Sequence, residues 1–137
     1  MGDKIPEFRK TKVAITDKGV LFGDNIKLPL RTMIGRIGVA PKDGPRGSNE
    51  RGEFGGGMGN CQITKGATVY LPVFQEGGLL TIGDCHAAMG DGEATASAVE
   101  CAFDATSRVS VEESLSLSRP VVTNETEVMT TGEGETM

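Results

Sequence analysis

Thr68-Val69-Tyr70-Leu71-Pro72-Val73-Phe74, then Gln75-Glu76-Gly77-Gly78, then Leu79-Leu80-Thr81-Ile82-Gly83-Asp84 is the stretch that decides the fold. Val69, Leu71 and Val73 alternate with Thr68 and Tyr70, the period of a half-buried strand. Gln75 to Gly78 is a turn composition, and Leu79 to Asp84 reads as a second strand. Upstream the pattern repeats. Val13 and Ile15 share a face, Asp17-Lys18-Gly19 turns the chain, and Val20-Leu21-Phe22 resumes the apolar run, which predicts a β-hairpin. Ile26, Leu28 and Leu30 alternate with Lys27 and Pro29, a pattern suited to an edge strand because proline donates nothing to a ladder. Met33-Ile34-Gly35-Arg36-Ile37-Gly38-Val39-Ala40 reads as a buried strand that another backbone approaches closely at its glycines. Downstream, Thr95 to Val111 alternates and is expected as one bent strand or two, although Ala94 to Ala105 is also tolerable as helix.

Composition agrees with a mainly β fold with long Gly-rich loops. The 137 residues include 20 glycines, no tryptophan, and only 4 % aromatic residues against 37 % hydrophobic ones. Such a core is built from Val, Ile, Leu, Ala and Met around many turns, and strand is expected to exceed helix. A single domain over residues 1–122 is expected, followed by a polar tail over 123–137, frayed or covered by a partner. Residues 41–60 hold Pro41, Pro45 and seven glycines, and read as a long loop. Its end, Gly55-Gly56-Gly57-Met58-Gly59, allows positive φ or close approach to a ligand, which makes Gly55, Gly56 and Gly57 candidates for substrate contact; a plain surface loop is the competing reading.

The net charge of −5 and the scattered basic residues argue against nucleic acid as a partner. No apolar run has the length of a membrane span, and Met1-Gly2-Asp3-Lys4 opens no apolar leader, so a cytoplasmic protein without a membrane partner is expected. Cys61, Cys85 and Cys101 form an odd set without Cys-x-x-Cys spacing. Reduced thiols are expected, rather than a disulfide framework or a cysteine zinc site.

The chain's one histidine, His86, lies in Gly83-Asp84-Cys85-His86-Ala87-Ala88-Met89-Gly90-Asp91-Gly92-Glu93. On a strand, Asp84 and His86 project from one face, and Asp91 and Glu93 repeat that spacing beyond a glycine turn. An imidazole converging with carboxylates suits zinc or another divalent metal. Asp-Gly pairs are also ordinary turn residues, and on spacing alone that reading stays open. Cys85 is a poor nucleophile candidate, because strand neighbours such as Cys85 and His86 point to opposite faces.

Three blocks in order, Met33 to Pro41, Gly66-Ala67-Thr68-Val69-Tyr70-Leu71-Pro72-Val73, and Gly83 to Glu93, resemble signature stretches of the acetamidase/formamidase family. The resemblance extends more loosely from Lys12 to Pro120. It implies a β fold with barrel- and sandwich-type elements and a metal-assisted hydrolase of carbon–nitrogen bonds other than peptide bonds, acting on short linear amides of the formamide or acetamide type. The implied site has His86 with Asp84 or Asp91 on a divalent metal, most simply zinc, with Glu93 as second ligand or general base and Asp91 also a candidate for acid–base work. Phe54-Gly55-Gly56-Gly57-Met58-Gly59 stands where the family reads His-Gly-Gly-Asn-Met-Asp, and family members are about twice as long. A homo-oligomer, or a second chain completing the fold, is the implied partner. The alternative is an inactive member serving as a structural subunit or small-ligand binder.

Overall fold

The computed structural model describes residues 11–132. The protein is mainly β. Among the described residues the regular elements are eleven short strands and one 3-10 turn, Asp91–Glu93, and no α-helix occurs there. The chain divides into two compact units, residues 1–30 and 31–137.

In the first unit β1 (Ala14–Thr16), β2 (Gly19–Phe22) and β3 (Ile26–Leu28) form an antiparallel sheet in chain order. The Asp17-Lys18 turn joins β1 to β2 as the sequence predicts, and the Thr16 hydroxyl donates to the Gly19 carbonyl at 3.0 Å. Gly19 lies at φ +129, with Leu28 O only 2.4 Å from where a Cβ would stand. Only glycine fits there. Val20 is fully buried, while Ile15, Leu21, Phe22 and Ile26 stay exposed.

The second unit holds two antiparallel sheets. One has the order β11-β10-β7, from β7 (Thr68–Tyr70), β10 (Val121–Thr123) and β11 (Val128–Thr130). The other has the order β5-β6-β4-β8-β9, from β4 (Met33–Gly38), β5 (Arg51–Gly52), β6 (Gly55–Gly57), β8 (Thr81–Ala88) and β9 (Val99–Glu100). β4 and β8 form its centre, with Met33 opposite His86, Ile34 opposite Cys85 and Ile37 opposite Ile82. Met33, Phe54, Cys61, Ile63, Ala87 and Val122 make the apolar core of this unit.

Both glycines of β4 are places of close backbone approach. A Cβ on Gly38 would lie 2.8 Å from Gly56 N and Phe54 O, and one on Gly35 would lie 2.4 Å from Asp84 O and 2.7 Å from His86 Cε1. Gly35 is thus the gap in β4 that admits the His86 ring beside the strand.

Several elements differ from the sequence reading. The strand expected from Thr68 to Phe74 ends at Tyr70. The next begins at Thr81 rather than Leu79, because Gly77, Gly78 and Leu79 all take positive φ in the turn, closed by Gly78 N–H to Gln75 O at 3.0 Å. Of the alternating Thr95–Val111 stretch only Val99–Glu100 is strand. Alternation becomes a strand only with a partner ladder and a covered face, and Val109 and Val111 have neither, being 68 % and 83 % exposed. The 41–60 loop carries the β5–β6 ribbon. The polar tail begins with a hairpin, since Thr123 pairs with Val128 across a turn in which Asn124 Oδ1 accepts the N–H groups of Thr126 and Glu127, each at 2.9 Å; residues 133–137 lie outside the described residues. No helix of the described residues is long and apolar enough to cross a membrane.

Candidate metal centre

Asp84 and His86 emerge from β8, and the neighbouring strand β9 brings a third group. Glu100 stands directly opposite His86 in the β8–β9 register. One ligand atom from each of Asp84, His86 and Glu100 lies within 4.8 Å of the other two. His86 Nε2 is 3.1 Å from Glu100 Oε2 and 3.5 Å from Asp84 Oδ1. The other Asp84 oxygen, Oδ2, is 3.1 Å from Arg36 Nε of β4, and Arg36 Nη1 donates to Ser48 Oγ at 3.3 Å. Arg36 therefore fixes one face of the Asp84 carboxylate and leaves the other turned toward the imidazole.

His86 has no exposed surface, and neither ring nitrogen makes a hydrogen bond. The Glu100 oxygen is close enough to count as an ion pair but lies off the direction a hydrogen bond requires; the angle, which decides whether a proton is shared, is the better guide. A buried polar atom left without a partner costs about 1–3 kcal/mol. An imidazole lone pair between two carboxylate oxygens is the donor set of a zinc-type divalent cation. The residues fit such an ion. Asp84 adopts φ +56, a conformation that Asp tolerates better than most side chains, and it is the one position between Ile34–Cys85 and Arg36–Gly83 that drops out of the β4–β8 register. That irregularity aims its carboxylate away from a regular pleat. Among side chains, Glu100 is half exposed and is the member of the trio that faces solvent.

None of the remaining sequence candidates belongs to the trio. Asp91 and Glu93 belong to a 3-10 turn rather than a second extended pair, with Gly92 at φ +76 and Glu93 at φ +46. Asp91 is outside the trio, and its Oδ1 accepts the Cys61 thiol at 2.6 Å. Burial, then the bond to Asp91, pushes the Cys61 thiol above its ordinary range. Gly92 N–H donates to Gly59 O at 2.9 Å, which pins the turn against the end of the glycine-rich segment. Gly55 and Gly56, at φ +94 and +91, face neighbouring backbone instead of open space: their missing Cβ atoms would lie 2.4 Å from Ile37 O and 2.1 Å from Glu50 O. Gly57 borders Arg36, whose Nε is 3.8 Å from its Cβ position. Phe54, in the place of the loop motif's histidine, is a core residue packed over Gly52 and Gly56. Glu100 was missed by the sequence reading; its alternation marked it as strand, but the register that sets it against His86 is a long-range property.

A model of the Acetamidase/Formamidase family matches residues 38–126, well over half of the chain. The chain belongs to that family. A formamidase of Methylophilus methylotrophus is 52 % identical over 40 residues, 27 % of this chain and 10 % of that protein. Among solved acetamidase/formamidase structures, a predicted acetamidase/formamidase from Thermoanaerobacter tengcongensis superposes with a TM-score of 0.73 at 43 % identity, covering 82 % of this chain and 38 % of that one. An acetamidase from Yersinia enterocolitica gives 0.76 at 31 % identity, covering 86 % and 36 %. An acetamidase from Bacillus halodurans gives 0.62 at 44 % identity, covering 64 % and 30 %. The chain thus spans well under half the length of these acetamidase/formamidase relatives.

Proposed function

We propose that this acetamidase/formamidase chain contributes to hydrolysis of short linear amides, and that Asp84, His86 and Glu100 hold a divalent cation, zinc being the simplest choice for the donor set. The observation that carries this reading is the buried His86 ring, whose Nε2 is without a hydrogen bond between two carboxylates. When bound there, such a cation supplies polarisation of an amide carbonyl and acidification of a water.

The chain's own groups divide the remaining work. Arg36 orients Asp84 and offsets one of the two negative charges beside the imidazole. Burial keeps water from His86, and the half-exposed Glu100 leaves the trio open on one side. Glu93 is the proposed general base, and Asp91 ranks behind it because the Cys61 thiol already occupies one of its oxygens. The proposed substrate contact narrows to Gly57, the glycine bordering Arg36, since Gly55 and Gly56 are taken up by their neighbours' backbone. The reading extends to a cytoplasmic protein that works as a homo-oligomer or beside a second chain.

The test is the metal content of the purified protein, followed by ammonia release from formamide and acetamide. Stoichiometric zinc that is lost in His86→Ala together with ammonia release is the expected result. Metal content and activity that survive His86→Ala would remove the trio from the mechanism, and metal without ammonia release would leave an inactive family member that binds an ion.

A further inference from the structure

The strand pairing that sets Glu100 against His86 also sets a second pair of side chains against each other on the opposite face. One residue along each strand from that register, Cys85 stands opposite Cys101, and Cys101 N–H donates to Cys85 O at 3.0 Å. Adjacent residues of a strand alternate faces, so both thiols lie on the side away from the imidazole. Both are half-buried and both are free.

Directly opposed residues of an antiparallel pair have Cα atoms about 4.5–5.5 Å apart, inside the range of about 4.4–6.8 Å that a disulfide spans. Cys101 is also the first residue past β9, where regular structure ends, so its side chain can adjust without breaking a ladder on both sides. The third cysteine is otherwise engaged: Cys61 is buried and its thiol bonds Asp91.

We propose that Cys85 and Cys101 form a reversible cross-strand disulfide, a redox modification site that clamps β9 to β8. With a peroxide as the oxidant, one thiol sulfur attacks a peroxide oxygen and becomes a sulfenic acid as the O–O bond breaks and the first water leaves. The second thiol then attacks that sulfur, the S–S bond forms and the second water departs. Two thiols are oxidised and one hydrogen peroxide is reduced to two waters. A dithiol reductant reverses the step by exchange. The clamp would hold the two-residue strand β9, and with it Glu100, in register beside His86. This inference stands on the pairing of β8 with β9 and is independent of whether the trio binds a metal.

The experiment treats the folded chain with hydrogen peroxide, alkylates the remaining thiols, and maps the digest by mass spectrometry without reduction. The expected result is loss of two of the three alkylatable thiols, a peptide joining Cys85 to Cys101 that is two hydrogens lighter than its parts, and alkylated Cys61. Cys61→Ser should leave that bridge intact, Cys101→Ser should abolish it, and dithiothreitol should restore both thiols. Hydrogen exchange at residues 99–101 should slow in the bridged form. A bridge that includes Cys61, a bridge between chains, or three thiols that stay alkylatable or pass to sulfinic acid would each overturn the proposal.

Discussion

Asp84-x-His86 and Asp91-x-Glu93 share a spacing and nearly a composition, yet they come to different ends. The first pair sits on β8, between a strand that supplies Arg36 and one that supplies Glu100. The second sits in a one-turn 3-10 segment bent at Gly92, with Asp91 bonded to Cys61. The difference teaches that a spacing of two brings ligands together where neighbouring strands add to the pair, here Arg36 holding a carboxylate that leaves the regular pleat at φ +56 and Glu100 facing the imidazole.

That comparison is broken most severely through its glycines. Gly35→Ala sets a Cβ against Asp84 O and the His86 ring, so it should cost about 3 kcal/mol of unfolding free energy in urea. Gly92→Ala meets no atom within 4 Å but must hold φ +76, and should cost only about 1–2 kcal/mol. Equal losses would mean that β4 can yield around the imidazole.

Next in size is the effect on affinity for zinc at the proposed centre. In a competition titration Glu100→Gln should weaken binding by at least about 10–100-fold, the scale already seen when groups around a ligand are altered. Glu93→Gln should leave the affinity unchanged in the same titration. The reverse order would move the centre to the 3-10 turn.

The smallest effect belongs to the Cys61–Asp91 contact. Asp91→Asn should cost about 1 kcal/mol at neutral pH, the value of one part-buried hydrogen bond. The folded-state pKa of Cys61 is raised above the ordinary 9.0, so its contribution is fully present below that pH and drains away as pH rises through the folded value. The wild-type chain should therefore lose stability above pH 9 more steeply than Cys61→Ala, as read from urea midpoints. Parallel pH profiles would show that the thiol is not shielded.

Much of the sheet was legible because its signals are local. The Asp17-Lys18 turn, the edge placement of Ile26–Leu28 and the close-packed glycines of Met33–Gly38 follow from φ freedom and alternation within a few residues. Of the trio, His86 follows from strand alternation, while Asp84 reaches it through an irregularity at φ +56 that alternation does not report. Glu100 was not legible, since nothing near it in the chain reports which strand it will face. Asp91 and Glu93 failed to form a matching pair because Gly92 permits the turn that separates them from an extended path. The alternating run beyond Cys101 misled because alternation records which residues suit a pleat, while only a partner strand makes one.

The five-stranded sheet ends on both sides in strands of two residues, Arg51–Gly52 and Val99–Glu100. A sheet margin is a row of unspent backbone donors and acceptors that invites another chain to add on, and brevity and charge are the means by which proteins discourage it. Arg51 and Glu100 put opposite charges on the two margins. Glu100 then has two duties: as the outermost carboxylate of the trio it gives His86 a neighbour, and as a charge on a clipped border it discourages another chain from pairing with the free side of β9.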